Sequence, residues 1–151
     1  MLRSKIDHFD GQYRFLSNFY PCEITFNGRT ATSLEHAYQA SKALYPHDRD
    51  YVLSQKTAGQ AKRAGRKVEI VPDWEKRKID VMRTLVREKF IRHPDLCVLL
   101  IRTGDAELVE GNSWRDVFWG VDSESGEGEN HLGKILMEVR AELRALEGKT
   151  S

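Results

Sequence analysis

Glu35, Tyr38, Gln39 and Lys42 lie within the stretch Thr32-Ser33-Leu34-Glu35-His36-Ala37-Tyr38-Gln39-Ala40-Ser41-Lys42, at positions i, i+3, i+4 and i+7. In a helix that spacing turns an acid, a phenol, an amide and an amine to one face. A carboxylate beside an amine is equipment for proton transfer or nucleophilic attack. Ala37, Ala40, Ser41 and Ala43 occupy the other faces, so neighbouring elements can approach closely and wall in the polar stripe. A structural reading fits the same residues. Thr32-x-x-Glu35 matches a capping box, in which the glutamate only reaches back to the helix start, and Lys42 at the far end complements the helix dipole. Spacing alone leaves both open.

Two further groups can bind rather than react. Lys62, Arg63, Arg66 and Lys67 form the densest positive charge in the chain, either as a solvated face or as a grip on phosphate. Trp74, at the start of an expected helix, either staples the entering chain or offers a flat ring to a base. Asn18, polar between apolar neighbours, suits the support of a site or of local backbone.

These residues need a scaffold. The 151 residues suffice for one domain, 1–151, with a core over about 6–146, and are too few for two comfortable ones. Hydrophobic residues at 40% and charged residues at 31% describe an ordinary soluble protein, and no apolar run is long enough to span a membrane. Met1 to His8 has no apolar segment behind it, which argues against a secretory signal and for the cytoplasm. The net charge of +1 gives no general attraction to nucleic acid, so any anion binding must be local. Cys22 and Cys97 lie far apart among apolar or aromatic neighbours and read as buried thiols, while His8, His36, His47, His93 and His131 follow no ligand spacing. No metal site and no cofactor is expected.

In chain order, residues 6–31 read as a β region. Phe9, Tyr13 and Phe15 favour strands, and Cys22 to Phe26 alternates before the turn signal Asn27-Gly28, with Arg29-Thr30-Ala31 returning. A short helix is expected over Asp48–Leu53 and another over 56–67 with Gly65 as its stop. Asp73 is placed to cap a long helix running to about His93, with Ile79, Met82, Leu85, Val86 and Phe90 as its buried stripe. Pro94 starts a helix over Asp95–Arg102 whose unbroken Leu96–Ile101 run implies burial. Glu107–Gly111 and Asp116–Val121 read as two short strands, and 123–130 as a flexible loop. The last helix carries Leu132, Ile135, Leu136, Val139, Leu143 and Leu146, with Gly148 to Ser151 expected to fray. The fold class is mainly α, an α+β domain with a small N-terminal β region and two short strands before the last helix.

Five motifs in order resemble the NADAR, or YbiA-like, family. They are Phe15-Leu16-Ser17-Asn18-Phe19-Tyr20-Pro21; Glu35-His36-Ala37-Tyr38-Gln39-Ala40-x-Lys42; Trp74 with a long helix ending near Lys89-Phe90; Leu108-Val109-Glu110 with Asp116-x-x-Trp119-Gly120; and Gly128-x-Asn130-x-Leu132-Gly133 with Leu136-Met137-x-x-Arg140. The resemblance spans about Phe15 to Leu143 and implies a mainly helical domain with N-glycosidase chemistry. Some members of that family cleave ribose 5-phosphate from aminopyrimidine intermediates of riboflavin biosynthesis, and others remove ADP-ribose from guanine in nucleic acid. Motif matching places the family's functional glutamate, tryptophan and aspartate on Glu35, Trp74 and Asp116. Lys42 joins them as a phosphate anchor or as a nucleophile forming a Schiff base.

Around these, the resemblance implies substrate contacts from Asn18, Phe19, His36, Tyr38 and Gln39. Arg63, Arg66, Trp119, Gly120 and Asn130 complete the expected set. The implied partner is a small phosphoribosyl or ADP-ribosyl compound, with ADP-ribosylated nucleic acid as the other substrate class. A nucleotide-binding module without turnover is the non-enzymatic alternative.

Overall fold

The computed structural model of the protein describes residues 4–150. The elements in order are β1 (Lys5–Ile6), a 3₁₀ helix (Gly11–Leu16), β2 (Pro21–Phe26), β3 (Arg29–Ser33), α1 (Leu34–Lys42), α2 (Pro46–Leu53), α3 (Ala58–Gly65) and α4 (Trp74–Arg92). There follow α5 (Pro94–Arg102), β4 (Glu107–Leu108), β5 (Gly111–Asn112), β6 (Val121–Asp122) and α6 (His131–Thr150). The mainly helical α+β class read from the sequence is the class observed. No helix among the described residues is long and apolar enough to cross a membrane. The chain forms two compact units, one of Asn18–Arg92 and the other of the residues through Ser17 with those from His93 onward.

The first unit is built around α1. β2 and β3 pair antiparallel with Phe26 opposite Arg29, so Asn27 and Gly28 alone make the turn. Both have positive φ, 47° and 74°, the pairing that a two-residue hairpin matched to strand twist requires. A bulge between Pro21 and Ile24 shifts the register before the hairpin reaches Ser33. α1 then packs against both strands and against α2, α3 and α4. Its centre is dry: Leu34, Ala37 and Ala40 are fully buried.

Three expectations in this unit are corrected. The cap of α1 is Ser33, not Thr32: Ser33 Oγ accepts the His36 N–H at 3.1 Å. The capping box belongs instead to α3, where the Thr57 side chain accepts the Gln60 N–H and the Gln60 side chain accepts the Thr57 N–H at 3.2 Å. α2 begins at Pro46 itself, whose ring is preset for a first helical turn. In α4 the stripe Met82, Leu85, Val86 and Phe90 is buried, Ile79 is only half-buried, and Lys89 joins the buried set.

The second unit pairs β1 with β4 and β5 with β6, both parallel. α6 lies against α5 and β4, burying Leu132, Ile135, Leu136, Val139 and Leu143 while Leu146 stays exposed. Phe9, Tyr13 and Phe15 do not form a strand. A 3₁₀ turn takes Tyr13 and Phe15, opened by the Asp10 carbonyl accepting the Tyr13 N–H at 2.9 Å. The run Leu96–Ile101 is not buried throughout, since α5 buries Leu96 and Leu100 one turn apart and leaves Val98 and Leu99 exposed.

Asp116–Val121 is irregular until Val121. Arg115 has a φ of 63°, and the Asp116 carboxylate closes a turn on the next residues, so no extended ladder can form there. The segment 123–130 is pinned: Glu129 N–H donates to the Val117 carbonyl at 2.7 Å and Asp122 N–H to that of Glu127 at 2.8 Å. α6 continues through Thr150 rather than fraying at Gly148. Ser151, the end of the expected frayed segment, and Met1–Arg3 lie outside the described residues. Cys22 and Cys97 are not joined in a disulfide and are half-buried rather than buried, and burial, with Glu147 second, pushes the Cys97 thiol up.

Candidate active site

The unit Asn18–Arg92 gathers most of the residues whose spacing suggested chemistry. Glu35 sits at the second position of α1 and is buried, with 6% of its surface exposed. Its backbone N–H, left over at the helix start, donates to the Asn18 carbonyl at 3.0 Å. Its Oε1 accepts from Gln39 Nε2 at 3.2 Å, the i, i+4 contact that the spacing implied. Since Ser33 already caps the helix, Glu35 is not used as a capping-box partner. A carboxylate outside the capping-box position, kept out of water on a polar stripe, is a candidate for chemistry.

Lys42, at the other end of α1, is half-buried. Burial lowers its pKa first; the Glu35 carboxylate raises it, and the nearby Arg66 guanidinium lowers it again. The net direction is downward, so a larger fraction of Lys42 is a neutral amine than in free lysine. Arg66 closes the C-terminus of α3 as its cap residue, which is how a basic cluster distant in sequence comes to bear on Lys42. Arg63, one turn earlier, is exposed. Phe19 is exposed too, and Lys62 Nζ lies 5.8 Å from its ring centroid.

Trp74 opens α4 and is buried, not an open platform; its ring lies 5.4 Å from that of Tyr38, which is buried as well. His36 is held by protein on both ring nitrogens, Nδ1 at 2.7 Å from Ser33 Oγ and Nε2 at 2.8 Å from the Gln55 carbonyl. Asn18 Nδ2 lies 3.5 Å from Met82 Sδ.

Lys89, outside the set of residues expected from the sequence, is a buried amine in the same unit. It is 1% exposed on α4, with Nζ 5.7 Å from the Tyr20 ring centroid and 5.2 Å from that of Phe90. Burial pushes its pKa down to about 8, with Cys22 opposing the shift. The signal was in the sequence, because Met82, Val86 and Lys89 repeat at helical spacing and a lysine at a core position is anomalous.

Asp116, Trp119, Gly120 and Asn130 belong to the other unit. Asp116 Oδ1 accepts the N–H groups of Phe118 at 3.2 Å and Trp119 at 2.9 Å, while Asn112 bonds the Asp116 backbone on both sides. Asn130, buried with a φ of 54°, accepts the Glu110 N–H at 3.0 Å and donates to the Leu108 carbonyl at 2.9 Å. The Gly120 carbonyl accepts the Asn130 N–H at 3.2 Å, and Trp119 packs edge-on against Phe118. An open cleft of about 430 Å³ in this unit is lined by Asp7, His8, Asn112, Trp114 and Asp122 among others, and none of the site residues expected from sequence lines it. Among the described residues no three His, Cys, Asp or Glu side chains gather as a metal site requires.

The chain is similar to known proteins along almost its whole length. The chain is 38% identical to the N-glycosidase YbiA of Escherichia coli (strain K12) over 133 residues, 87% of this chain and 82% of that protein. An N-glycosidase of Nostoc punctiforme is 38% identical over 139 residues, 89% of this chain and 88% of its own length. A riboflavin biosynthesis protein of Vibrio vulnificus (strain YJ016) is 44% identical over 137 residues, 89% of this chain, but the chain spans only 37% of that protein. The NMR structure of Escherichia coli YbiA superposes with a TM-score of 0.84 at 34% identity, covering 97% of this chain and 89% of that one. Residues 6–144 match the NADAR domain, and the chain belongs to the NADAR domain family.

Proposed function

We propose that this chain hydrolyses the C–N glycosidic bond between a phosphorylated ribose and an amine-bearing base, with a phosphoribosylaminopyrimidine intermediate of riboflavin biosynthesis as its substrate. The observation that carries this reading is Glu35, a buried carboxylate that is held by Gln39 and is not the helix cap. Relatives named N-glycosidase, matched over 82% and 88% of their own length, support the reaction type. The Vibrio vulnificus protein's name supports the riboflavin intermediate. We place the protein in the cytoplasm, where the charge of a phosphorylated intermediate would retain it.

Breaking the bond builds positive charge on the sugar, as in O-glycoside hydrolysis. Glu35 stabilises that charge or takes a proton from water as its oxygen bonds to the anomeric carbon. The C–N bond breaks with its electron pair on nitrogen, which takes up a proton, giving ribose 5-phosphate and the free amine. On the family resemblance, Asp116 supplies that proton or a hydrogen bond to the departing base; Trp74, buried against Tyr38, offers the base no open face. Lys42, Arg63 and Arg66 hold phosphate. If Asp116 has this chemical role, Asp116→Asn should lower turnover about 10²-fold or more. The thermal midpoint should hold, because Asn still offers an acceptor to Phe118 and Trp119. A lower midpoint with unchanged activity per folded molecule would assign Asp116 to its turn alone.

The lowered pKa of Lys42 favours a second route. The neutral amine attacks the anomeric carbon, the base leaves with its electrons and a proton, and ring opening gives a Schiff base that water hydrolyses. Borohydride added during turnover should trap a covalent adduct in the parent protein and none in Lys42→Ala. Absence of adduct in the parent removes this route.

Purified protein given a phosphoribosylaminopyrimidine and, separately, ADP-ribosylated guanine in single-stranded DNA tests the substrate class by mass spectrometry. Release of ribose 5-phosphate from the first is expected. Release of ADP-ribose from the second alone would move the chain to the other branch. Saturable binding with no product from either would make it a sensor.

A further inference from the structure

We infer that Gln39 and Gly65 form a positioning pair for Glu35, with Gly65 holding the Gln39 amide in the one orientation that fixes the carboxylate. The inference rests on the proposed catalytic role of Glu35. Gln39 is 5% exposed, and its two polar atoms have unequal fates. Nε2 donates to Glu35 Oε1, whereas Oε1 has no hydrogen-bond partner among the described residues. A buried carbonyl oxygen left unpaired is costly, so the surroundings must hold the amide in this orientation.

Two features do so. A carboxylate accepts and does not donate, so only the NH₂ side of the amide can face Glu35. Gly65, at the end of α3, lies where Oε1 points. A Cβ built on Gly65 would overlap Gln39 Oε1 and lie 2.7 Å from Cδ and 3.2 Å from Cβ of the same residue. The oxygen thus occupies the space that any other residue's side chain would fill, in contact with the Gly65 backbone carbon, where only a weak C–H···O interaction is available. The helices can approach this closely because α3 faces inward with Ala58, Ala61 and Ala64 and α1 with Ala37 and Ala40, all buried. Position 65 therefore sets where Gln39 sits, and Gln39 sets where Glu35 points.

Gly65 is not strained in φ, and a helix normally tolerates alanine there better than glycine. A helix-propensity effect and the positioning effect thus have opposite signs. The test measures kcat, KM and thermal midpoint for Gly65→Ala, Gln39→Leu, their combination, and Glu35→Gln alongside.

Gly65→Ala and Gln39→Leu should each lower kcat by roughly 10- to 100-fold with KM within about threefold, the penalty for a misplaced catalytic group. In the double variant the two losses should not multiply, because both act through the same carboxylate. Gly65→Ala combined with Gln39→Ala, which frees the space, keeps the test informative if Gly65→Ala alone does not fold. It should match Gln39→Ala in kcat. Unchanged kcat in Gln39→Leu, or fully multiplicative losses, would overturn the pairing while Glu35→Gln stays inactive. A fully active Glu35→Gln would instead sink the catalytic reading beneath it.

Discussion

Glu35→Gln should lower turnover about 10²–10⁴-fold while the thermal midpoint and far-ultraviolet spectrum stay close to those of the parent. The substitution is nearly isosteric, and the side chain is buried, so what changes is charge and proton affinity rather than packing. Helix capping predicts the opposite pattern, a stability loss of about 1 kcal/mol with activity per folded molecule preserved. Spacing balances the two readings only if Thr32 is the cap. With Ser33 as the cap and His36 as the residue whose N–H it accepts, Glu35 does not stand at the capping-box position. A Glu35→Gln protein that melts early yet turns over normally would return Glu35 to a structural role.

Lys89→Met should make the protein more stable at pH 7, by as much as about 3 kcal/mol, the free energy equivalent of a lysine whose pKa falls from 10.5 unfolded to about 8 folded. The sign follows from proton counts. Between pH 8 and 10.5 the unfolded lysine keeps its proton while the folded one has lost it, so parent stability rises with pH across that window. Below pH 8 both states are protonated and the full cost of burying the charge is present; above 10.5 both are neutral and it is gone. The stability gap between Lys89→Met and parent should therefore be largest below pH 8 and close as pH approaches 10.5. Methionine fills a similar volume and sits easily against Tyr20 and Phe90. Urea unfolding at pH 7 and pH 10 checks this, and a gap that is absent at pH 7 or widens at pH 10 would contradict it.

Local chemistry made much of the fold legible. Asn27-Gly28 announced a two-residue hairpin because few other pairs tolerate two positive φ values in succession. The spacing of Glu35 and Gln39 announced their contact because it lies within one helix. What failed depended on partners distant in sequence or on competing side-chain bonds. Phe9 to Phe15 has strand-forming composition, but a 3₁₀ turn takes Tyr13 and Phe15. Val117 to Trp119 alternates less than its composition suggests because Asp116 folds the backbone back on itself. The approach of Arg66 to Lys42, and of Gly65 to Gln39, comes from α3 packing on α1, which no single-helix periodicity encodes. Thr32 and Ser33 are equally good caps in composition and both lie in β3; Ser33 is the cap because it is the last extended residue before the helix begins at Leu34.

The most direct test of the central claim is release of ribose 5-phosphate from a phosphoribosylaminopyrimidine, followed by mass spectrometry for the parent protein and Glu35→Gln side by side at equal concentrations of folded protein. The account predicts multiple turnovers by the parent and a rate lower by about 10²-fold or more for Glu35→Gln. Product formed at equal rates by both, or no product from the parent, would contradict it.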